Sequence, residues 1–140
     1  MIESERVRLL FDSMFEDSYA GRGFPELTWD DIPALLARSE STRELTRFPR
    51  SPISSQFEST CREGMVALWL VEGVRQGGRF GSLNALCFDG PAEDANWRGA
   101  SEANHERILF AYRKWWKTVS ERGDSGAAID PLEGTGLRWH

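Results

Sequence analysis

Residues 64–74 (GMVALWLVEGV) decide the fold of this chain, because Glu72 is the single charged residue among them. A helix that is apolar on every side belongs at the centre of a helical bundle. A buried strand is the alternative, but the alanine, the leucines and the length of the run favour a helix. Residues 55–58 (SQFE) fit an N-terminal capping box, and the glycines at 77–78 are typical of a helix C-terminus. We therefore predict a central helix over residues 56–76.

Two further long helices are predicted from apolar residues that recur with helical spacing. The first covers residues 3–17, and its apolar stripe consists of Val7, Leu10, Phe11, Met14 and Phe15. The second covers residues 102–120, with Ser101 as its N-cap. Its predicted inner face consists of Ile108, Ala111 or Tyr112, Trp115 and Val119.

Shorter elements connect these helices. A short helix around Ile32 begins after the cap candidates Thr28, Asp30 and Asp31, and a second one is predicted over residues 82–88. Residues 39–55 and 89–100 read as loops, and residues 123–140 as a tail without periodicity. No segment alternates apolar and polar residues as a half-buried strand would. The sequence predicts one compact all-α domain over residues 1–140, with HEAT-like antiparallel packing around the central helix and long ordered loops.

Composition excludes several classes of protein. The 140 residues suffice for one domain, and their net charge is 17 − 22 = −5, which disfavours binding to nucleic acid. No run of apolar residues in the sequence reaches the length of about 20 that crossing a membrane requires. Residues 1–17 alternate charged and apolar side chains, unlike a secretory signal, which predicts a cytoplasmic protein. A periplasmic or envelope location is the alternative if a leader has been removed.

Several segments resemble a family of small bacterial helical proteins. They are residues 27–36 (LTWDDIPALL), 48–55 (FPRSPISS), 68–75 (LWLVEGVR) and 79–84 (RFGSLN), together with Tyr112, Trp115-Trp116, Asp130-Pro131-Leu132 and Arg138-Trp139. The family is a domain of unknown function, common in Bacteroides-type bacteria, and many of its members carry lipoprotein leaders. Gly81 and Ala85 depart from its pattern, where prolines are usual, and residues 1–17 are not expected to be a leader. The resemblance implies a HEAT-like helical fold and no particular reaction.

Glu72 breaks the local rule, because a carboxylate inside an apolar helix must be paired, hydrogen-bonded or protonated. We favour a structural ion pair with Arg75, Arg79 or Arg138. A catalytic acid is the alternative.

The remaining chemical signals are weak. Residues 123–126 (GDSG) resemble the nucleophile loop of chymotrypsin-like proteases, but no β-barrel that could complete a catalytic triad is predicted. Cys61 and Cys87 lie in or beside apolar runs and are interpreted as buried thiols rather than as nucleophiles that work with His105. No metal-ligand spacing occurs. The sequence therefore predicts no catalytic set, no metal and no cofactor.

The six tryptophans are the main candidates for binding. Trp115 and Trp116 point about 100° apart on one helix, so one of them can line a groove. Tryptophan with a nearby arginine, here Arg113, is typical of a protein-binding hot spot. Trp139 is expected to fold back as an anchor. Packing in the core is the alternative for each of these aromatic residues.

We therefore predict a non-enzymatic helical domain that binds a protein partner, and no membrane span. A more specific version is an immunity- or antitoxin-like protein, since an acidic surface complements a basic partner. The alternative is a small-molecule-binding or hydrolytic protein with a pocket formed by Glu72, Ser54, Ser55 and Arg79.

Overall fold

A computed structural model of the protein describes residues 5–16, 24–45, 61–80, 82, 85–88, 101–122 and 129–139. The α-helices of this part of the chain are α1 (Glu5–Phe15), α2 (Ile32–Arg38), α3 (Glu63–Arg75) and α4 (His105–Arg122). A 3₁₀ turn at Trp29–Asp31 precedes α2, and a helical turn at residues 101–103 precedes α4. Strands β1 (Glu44–Leu45) and β2 (Cys61–Arg62) form one antiparallel pair, and β3 (Cys87–Phe88) and β4 (Arg138–Trp139) form another. The described fold is therefore rich in helix, with two small strand pairs.

Helix α3 is the centre of the core. All of its residues from Glu63 to Val74 are buried, including Trp69, and it packs against both α2 and α4. This confirms the predicted apolar central helix, although the helix begins at Glu63 and not at residue 56. Strand β2 occupies the two residues before it, and the predicted capping box at residues 55–58 lies outside the described residues.

Two glycines allow other segments to approach α3 closely. A Cβ atom at Gly64 would overlap the carbonyl oxygen of Ser39 and the ring of His105, and one at Gly73 would overlap the ring of Phe24. Glycine weakens a helix interior by about 0.5–1 kcal/mol relative to alanine. Here that cost is offset by packing which a larger residue would prevent.

The outer helices bury the faces that their periodicity predicts. Helix α1 buries Val7, Phe11 and Met14, and α4 buries Ile108, Tyr112, Trp115 and Val119. Phe15 is the exception, because it lies exposed at the end of α1, where the Arg43 guanidinium sits 4.1 Å from the centre of its ring. Cation–π contact with Arg43, and not burial, therefore accounts for its position.

The all-α prediction is wrong at the strand pairs. In these pairs Leu45 lies opposite Cys61, and Cys87 lies opposite Trp139. Strands of two residues are too short to show a period of two, so the sequence pattern could not reveal them. The short helix predicted over residues 82–88 is likewise wrong at Cys87–Phe88, which is β3. The segment at residues 129–139, which was predicted to belong to a tail without periodicity, contains a turn and β4.

Within the described residues, no helix has both the length and the apolar character that crossing a membrane requires.

Candidate functional site

The most polar feature of the core is the carboxylate of Glu72 on α3, whose residue is only 3% exposed. It accepts hydrogen bonds from Arg75 Nε at 2.9 Å and Nη2 at 2.6 Å, and from Gln76 Nε2 at 2.6 Å. The hydroxyl of Tyr112 on α4 donates to Glu72 Oε1 over 2.6 Å. Residues three and four positions apart share one helix face, which explains why Arg75 and Gln76 reach the same group.

The Tyr112 hydroxyl connects the hydrogen bonds of Glu72 to the C-terminal segment (residues 129–139). The indole Nε1 of Trp139 donates to the Tyr112 hydroxyl oxygen over 2.8 Å. The Tyr112 hydroxyl therefore donates one hydrogen bond and accepts another, as a buried phenol should. We call Glu72, Arg75, Gln76, Tyr112 and Trp139 the Glu72 cluster; it joins α3, α4 and the C-terminal segment.

Electrostatics in the Glu72 cluster favour the protonated forms of its neighbours. Burial, reinforced by the charge of Glu72, raises the pKa of Tyr112 well above its usual value. The hydrogen bond to Glu72 raises the pKa of Arg75, against the opposing effect of burial. Burial and the Glu72 charge raise the pKa of the Cys87 thiol to about 12. A thiol with so high a pKa is a poor nucleophile.

Of the three arginines predicted as ion-pair partners of Glu72, Arg75 is the one that forms the pair. Arg79 and Arg138 are both exposed, so the expectation that they are buried polar residues is wrong. Arg79 follows the turn at Gly77 and Gly78, whose positive φ angles of 98° and 88° take the chain out of α3. Arg138 lies on the opposite side of β4 from its neighbour Trp139, as alternation along a strand requires.

The same facts bear on the alternative pocket. The carboxylate of Glu72 is buried, and its two oxygens accept hydrogen bonds from Arg75 and Tyr112. Arg79 is exposed. Ser54 and Ser55 lie outside the described residues, as do residues 123–126. The alternative gains no support from the residues that the structure describes.

His105 is engaged at both ring nitrogens by groups other than the cysteines. Its Nε2 lies 2.6 Å from the carbonyl oxygen of Ser39, and its Nδ1 lies 3.5 Å from Arg62 Nη1. Cys61 and Cys87 are buried and form no disulfide, and the Cys61 Sγ contacts the carbonyl oxygen of Ala85 at 3.8 Å. Across the described ranges there is no group of three or more His, Cys, Asp or Glu residues that could hold a metal ion.

A second ionic cluster lies at the start of α3 and was not anticipated from the sequence. Glu63 is buried and accepts hydrogen bonds from Arg43 Nε at 3.0 Å and Arg38 Nη1 at 3.3 Å. An acidic residue in the first turn also complements the positive end of the helix dipole. Arg38 lies over the ring of Phe11 at 5.2 Å, so this cluster ties α1 and α2 to α3.

A mostly apolar opening lies between α4 and the C-terminal segment. It is a groove of about 380 Å³ whose apolar lining comes from Phe110, Ala111, Trp115, Ile129 and Pro131. Phe110 is 69% exposed and Ile129 is 39% exposed, which is unusual for two large apolar side chains that line one groove. The polar rim of the groove consists of Arg107, Lys114, Thr118, Asp130, Glu133 and Thr135.

The groove has a fixed end, because Arg107 joins its two walls. Arg107 Nη1 lies 3.0 Å from Asn104 Oδ1, and Nη2 donates to the carbonyl oxygen of Thr135 over 3.2 Å. The C-terminal wall is itself anchored by Leu132 and Leu137, which are buried. The groove is therefore built on a helix and on a segment that the core holds in place, which suits a preformed binding site.

The four residues predicted to bind a partner separate in the structure. Trp115 is buried and lines the groove, whereas Trp116 is half-buried and stacks with Trp29, with ring centres 6.3 Å apart. Arg113 points elsewhere and forms a surface ion pair with Glu40 at 3.5 Å. Trp139 is half-buried on Tyr112. Only Trp115 of the four belongs to the groove.

Sequence reasoning missed Phe110 and Ile129, the two exposed apolar residues of the groove. Phe110 lies opposite the apolar face of α4, so its position on the helix was an available signal. Ile129 lies in a segment without periodicity, which gave no signal. Trp115 Nε1 is a buried donor with no hydrogen-bond partner within the described part of the chain.

Comparison with known proteins gives a family and no function. No curated protein and no solved structure shows significant similarity to the chain. A family model named domain of unknown function (DUF4943) matches residues 4–140, nearly the whole length. The chain belongs to this family, DUF4943.

Proposed function

We propose that the protein is a non-enzymatic interaction domain that binds another protein in the groove between α4 and the C-terminal segment. The observation that carries this proposal is the exposure of Phe110 and Ile129 beside the buried Trp115. Exposed apolar patches with a polar rim are typical of protein-binding sites. Aromatic residues near the centre of such a patch commonly contribute most of the binding energy.

The state of two candidate catalytic groups, Glu72 and Cys87, supports a non-enzymatic role. The oxygens of Glu72 are engaged by Arg75, Gln76 and Tyr112, and the Cys87 thiol has a raised pKa. Neither group is suited to act on a substrate as described.

Two finer features are part of the proposal. Packing of α3 between α2 and α4 supports a HEAT-like arrangement of antiparallel helices. The net charge of −5 supports the version in which the partner is basic, as for an immunity- or antitoxin-like protein. The groove itself carries Arg107 and Lys114 on its α4 wall and Asp130 and Glu133 on its C-terminal wall, so net charge attraction to a basic partner would come from other surfaces.

A photo-crosslinking amino acid placed at Phe110 in cells of the native host tests the proposal. We expect one discrete crosslinked protein. A photo-crosslinking amino acid placed in that protein should in turn crosslink to this chain. Leu9 on α1 is the matched control, because it is also a large exposed apolar residue on a helix, at 55% exposure. No crosslinked product at position 110, or the same set of products from position 9, would contradict the proposal.

A further inference from the structure

The charges on the rim of the groove are separated by sign, and this bears on what the groove binds. The α4 wall presents Arg107 and Lys114, and the C-terminal wall presents Asp130 and Glu133. All four residues are exposed. The two walls therefore carry charges of opposite sign beside a shared apolar lining.

These four residues form no ion pairs with one another. Among the described residues, Lys114, Asp130 and Glu133 take part in no ion pair, and Arg107 bonds only the neutral oxygens of Asn104 and Thr135. Asp130 Oδ1 accepts a hydrogen bond from the backbone N–H of Leu132, which still leaves its charge unpaired. Both walls can therefore form ion pairs with a bound segment.

We infer that the groove takes an amphipathic helix that carries acidic residues along one flank of its apolar stripe and basic residues along the other. This inference rests on the proposed function and specifies its partner. Acidic side chains of the partner helix lie toward Lys114, basic ones toward Glu133, and apolar ones over Phe110 and Ile129. The charges then fix the direction of the partner helix, because turning it end for end would place like charges together.

A helix satisfies this arrangement better than an extended strand does. The side chains of a strand point alternately to two opposite faces, so those beside the groove floor cannot also reach both walls. A helix presents a stripe and two flanks at once. The lining residues of α4 run from Arg107 to Thr118, a rise of about 16 Å, so the partner helix contacts the groove over about three turns.

The test uses synthetic 18-residue peptides and the full chain. The probe peptide is alanine-rich, with leucines at i, i+4 and i+7, glutamates along one flank and lysines along the other. A second peptide has glutamine at every flank position. We expect the probe peptide to bind about tenfold more tightly than the glutamine peptide, because two flanks of ion pairs are added at a fixed apolar stripe.

Charge exchange in the protein then separates this inference from a general apolar effect. Lys114→Glu and Glu133→Lys should each weaken binding of the probe peptide about three- to tenfold, and the double variant should weaken it further, because each wall then carries one charge of each sign. A nitroxide at the peptide N-terminus should broaden amide signals at one end of α4 with the probe peptide and at the other end with a peptide whose glutamate and lysine flanks are exchanged. The matched control is the double exchange Glu5→Lys with Arg8→Glu, an exposed pair on α1, which should change nothing.

Each outcome has a distinct meaning. Equal binding of the probe and glutamine peptides, or a double variant that binds the probe peptide as tightly as the parent protein does, overturns the charge-directed helix and leaves the groove as a binding site. If neither peptide binds saturably, or if Phe110→Ser leaves the binding unchanged, the proposed function fails with it.

Discussion

Trp139 Nε1 lies 2.8 Å from the hydroxyl oxygen of Tyr112, which in turn lies 2.6 Å from Glu72 Oε1. This chain of hydrogen bonds holds β4 onto α4 and fixes the C-terminal wall of the groove. Stability of the core and shape of the groove therefore depend on the same hydroxyl group.

Replacing Tyr112 by Phe should reduce the free energy of unfolding by about 1–3 kcal/mol. The change leaves the ring in place but removes one hydrogen-bond donor to Glu72 and one acceptor for Trp139. Urea denaturation followed by circular dichroism measures the effect. Thr118→Val, a change of similar size at a partly exposed hydroxyl on α4, is the control and should cost much less. Equal costs would show that the buried hydroxyl of Tyr112 contributes no more to stability than a partly exposed one.

Replacing Glu72 by Ala should cost about 3–5 kcal/mol, because it leaves the partly buried Arg75 without its counter-charge. A domain of this size has about 5–15 kcal/mol in total, so the variant should be largely unfolded or melt far below the parent. Differential scanning calorimetry measures this, with Glu5→Ala on exposed α1 as the control. A melting temperature within a couple of degrees of the parent would mean that Glu72 is not structural.

Stability should fall as the pH rises above about 9. The folded chain holds the Cys87 proton to a pKa of about 12, whereas the unfolded thiol has its ordinary value of 9.0. A raised folded pKa contributes stability that is complete below the unfolded pKa and lost as the pH rises toward the folded one. The loss is at most about 1.4 kcal/mol per pH unit for each proton. Tyr112, whose pKa is also raised, adds to the fall in the same direction.

Urea denaturation at pH 8, 9 and 10 measures this slope. Cys87→Ala should flatten it, since the variant has no thiol to titrate at this position. A slope that is the same in both proteins would contradict the assignment to Cys87.

Replacing Gly64 by Ala should destabilise the protein by about 1–3 kcal/mol, although alanine is the better helix former by up to about 1 kcal/mol. The added methyl group would overlap the Ser39 carbonyl oxygen, which is backbone and cannot move aside alone. Ser120→Ala, at an exposed site on α4, is the control and should be neutral or slightly stabilising. A gain in melting temperature for Gly64→Ala would refute the close approach.

Phe110 and Ile108 lie two residues apart on α4, and their truncation should change the free energy of unfolding by very different amounts. Ile108→Ala should cost about 2–5 kcal/mol because Ile108 is fully buried. Phe110→Ala should change stability by less than about 0.5 kcal/mol because its ring is mostly exposed. Thermal melts of both variants measure this. A large loss for Phe110→Ala would mean that the residue serves packing instead of binding.

The long helices were predictable because their residues repeat. The apolar run around Trp69 and the spacing of Ile108, Tyr112, Trp115 and Val119 are local signals that survive folding. The start of α3 was not predictable, since residues 61 and 62, which were expected to be helical, form β2 by pairing with β1. Pairing between distant residues leaves no local pattern in strands this short.

The Glu72 cluster shows the same limit at a single group. Its need for a partner was evident from Glu72 alone, and Arg75 three residues later was one of three candidates. Tyr112 lies 40 residues away and was interpreted only as part of an apolar face. The groove was missed for a related reason, because one of its walls comes from a segment without periodicity.

The approach of Ser39 to His105 has a consequence for the rate of folding. This contact closes 66 residues of chain, and the bond from Tyr112 to Glu72 closes 40. Ordering such large loops costs entropy before the contacts compensate for it. Refolding of this chain should therefore resemble that of mixed α/β domains in speed and fall behind helical bundles of equal length.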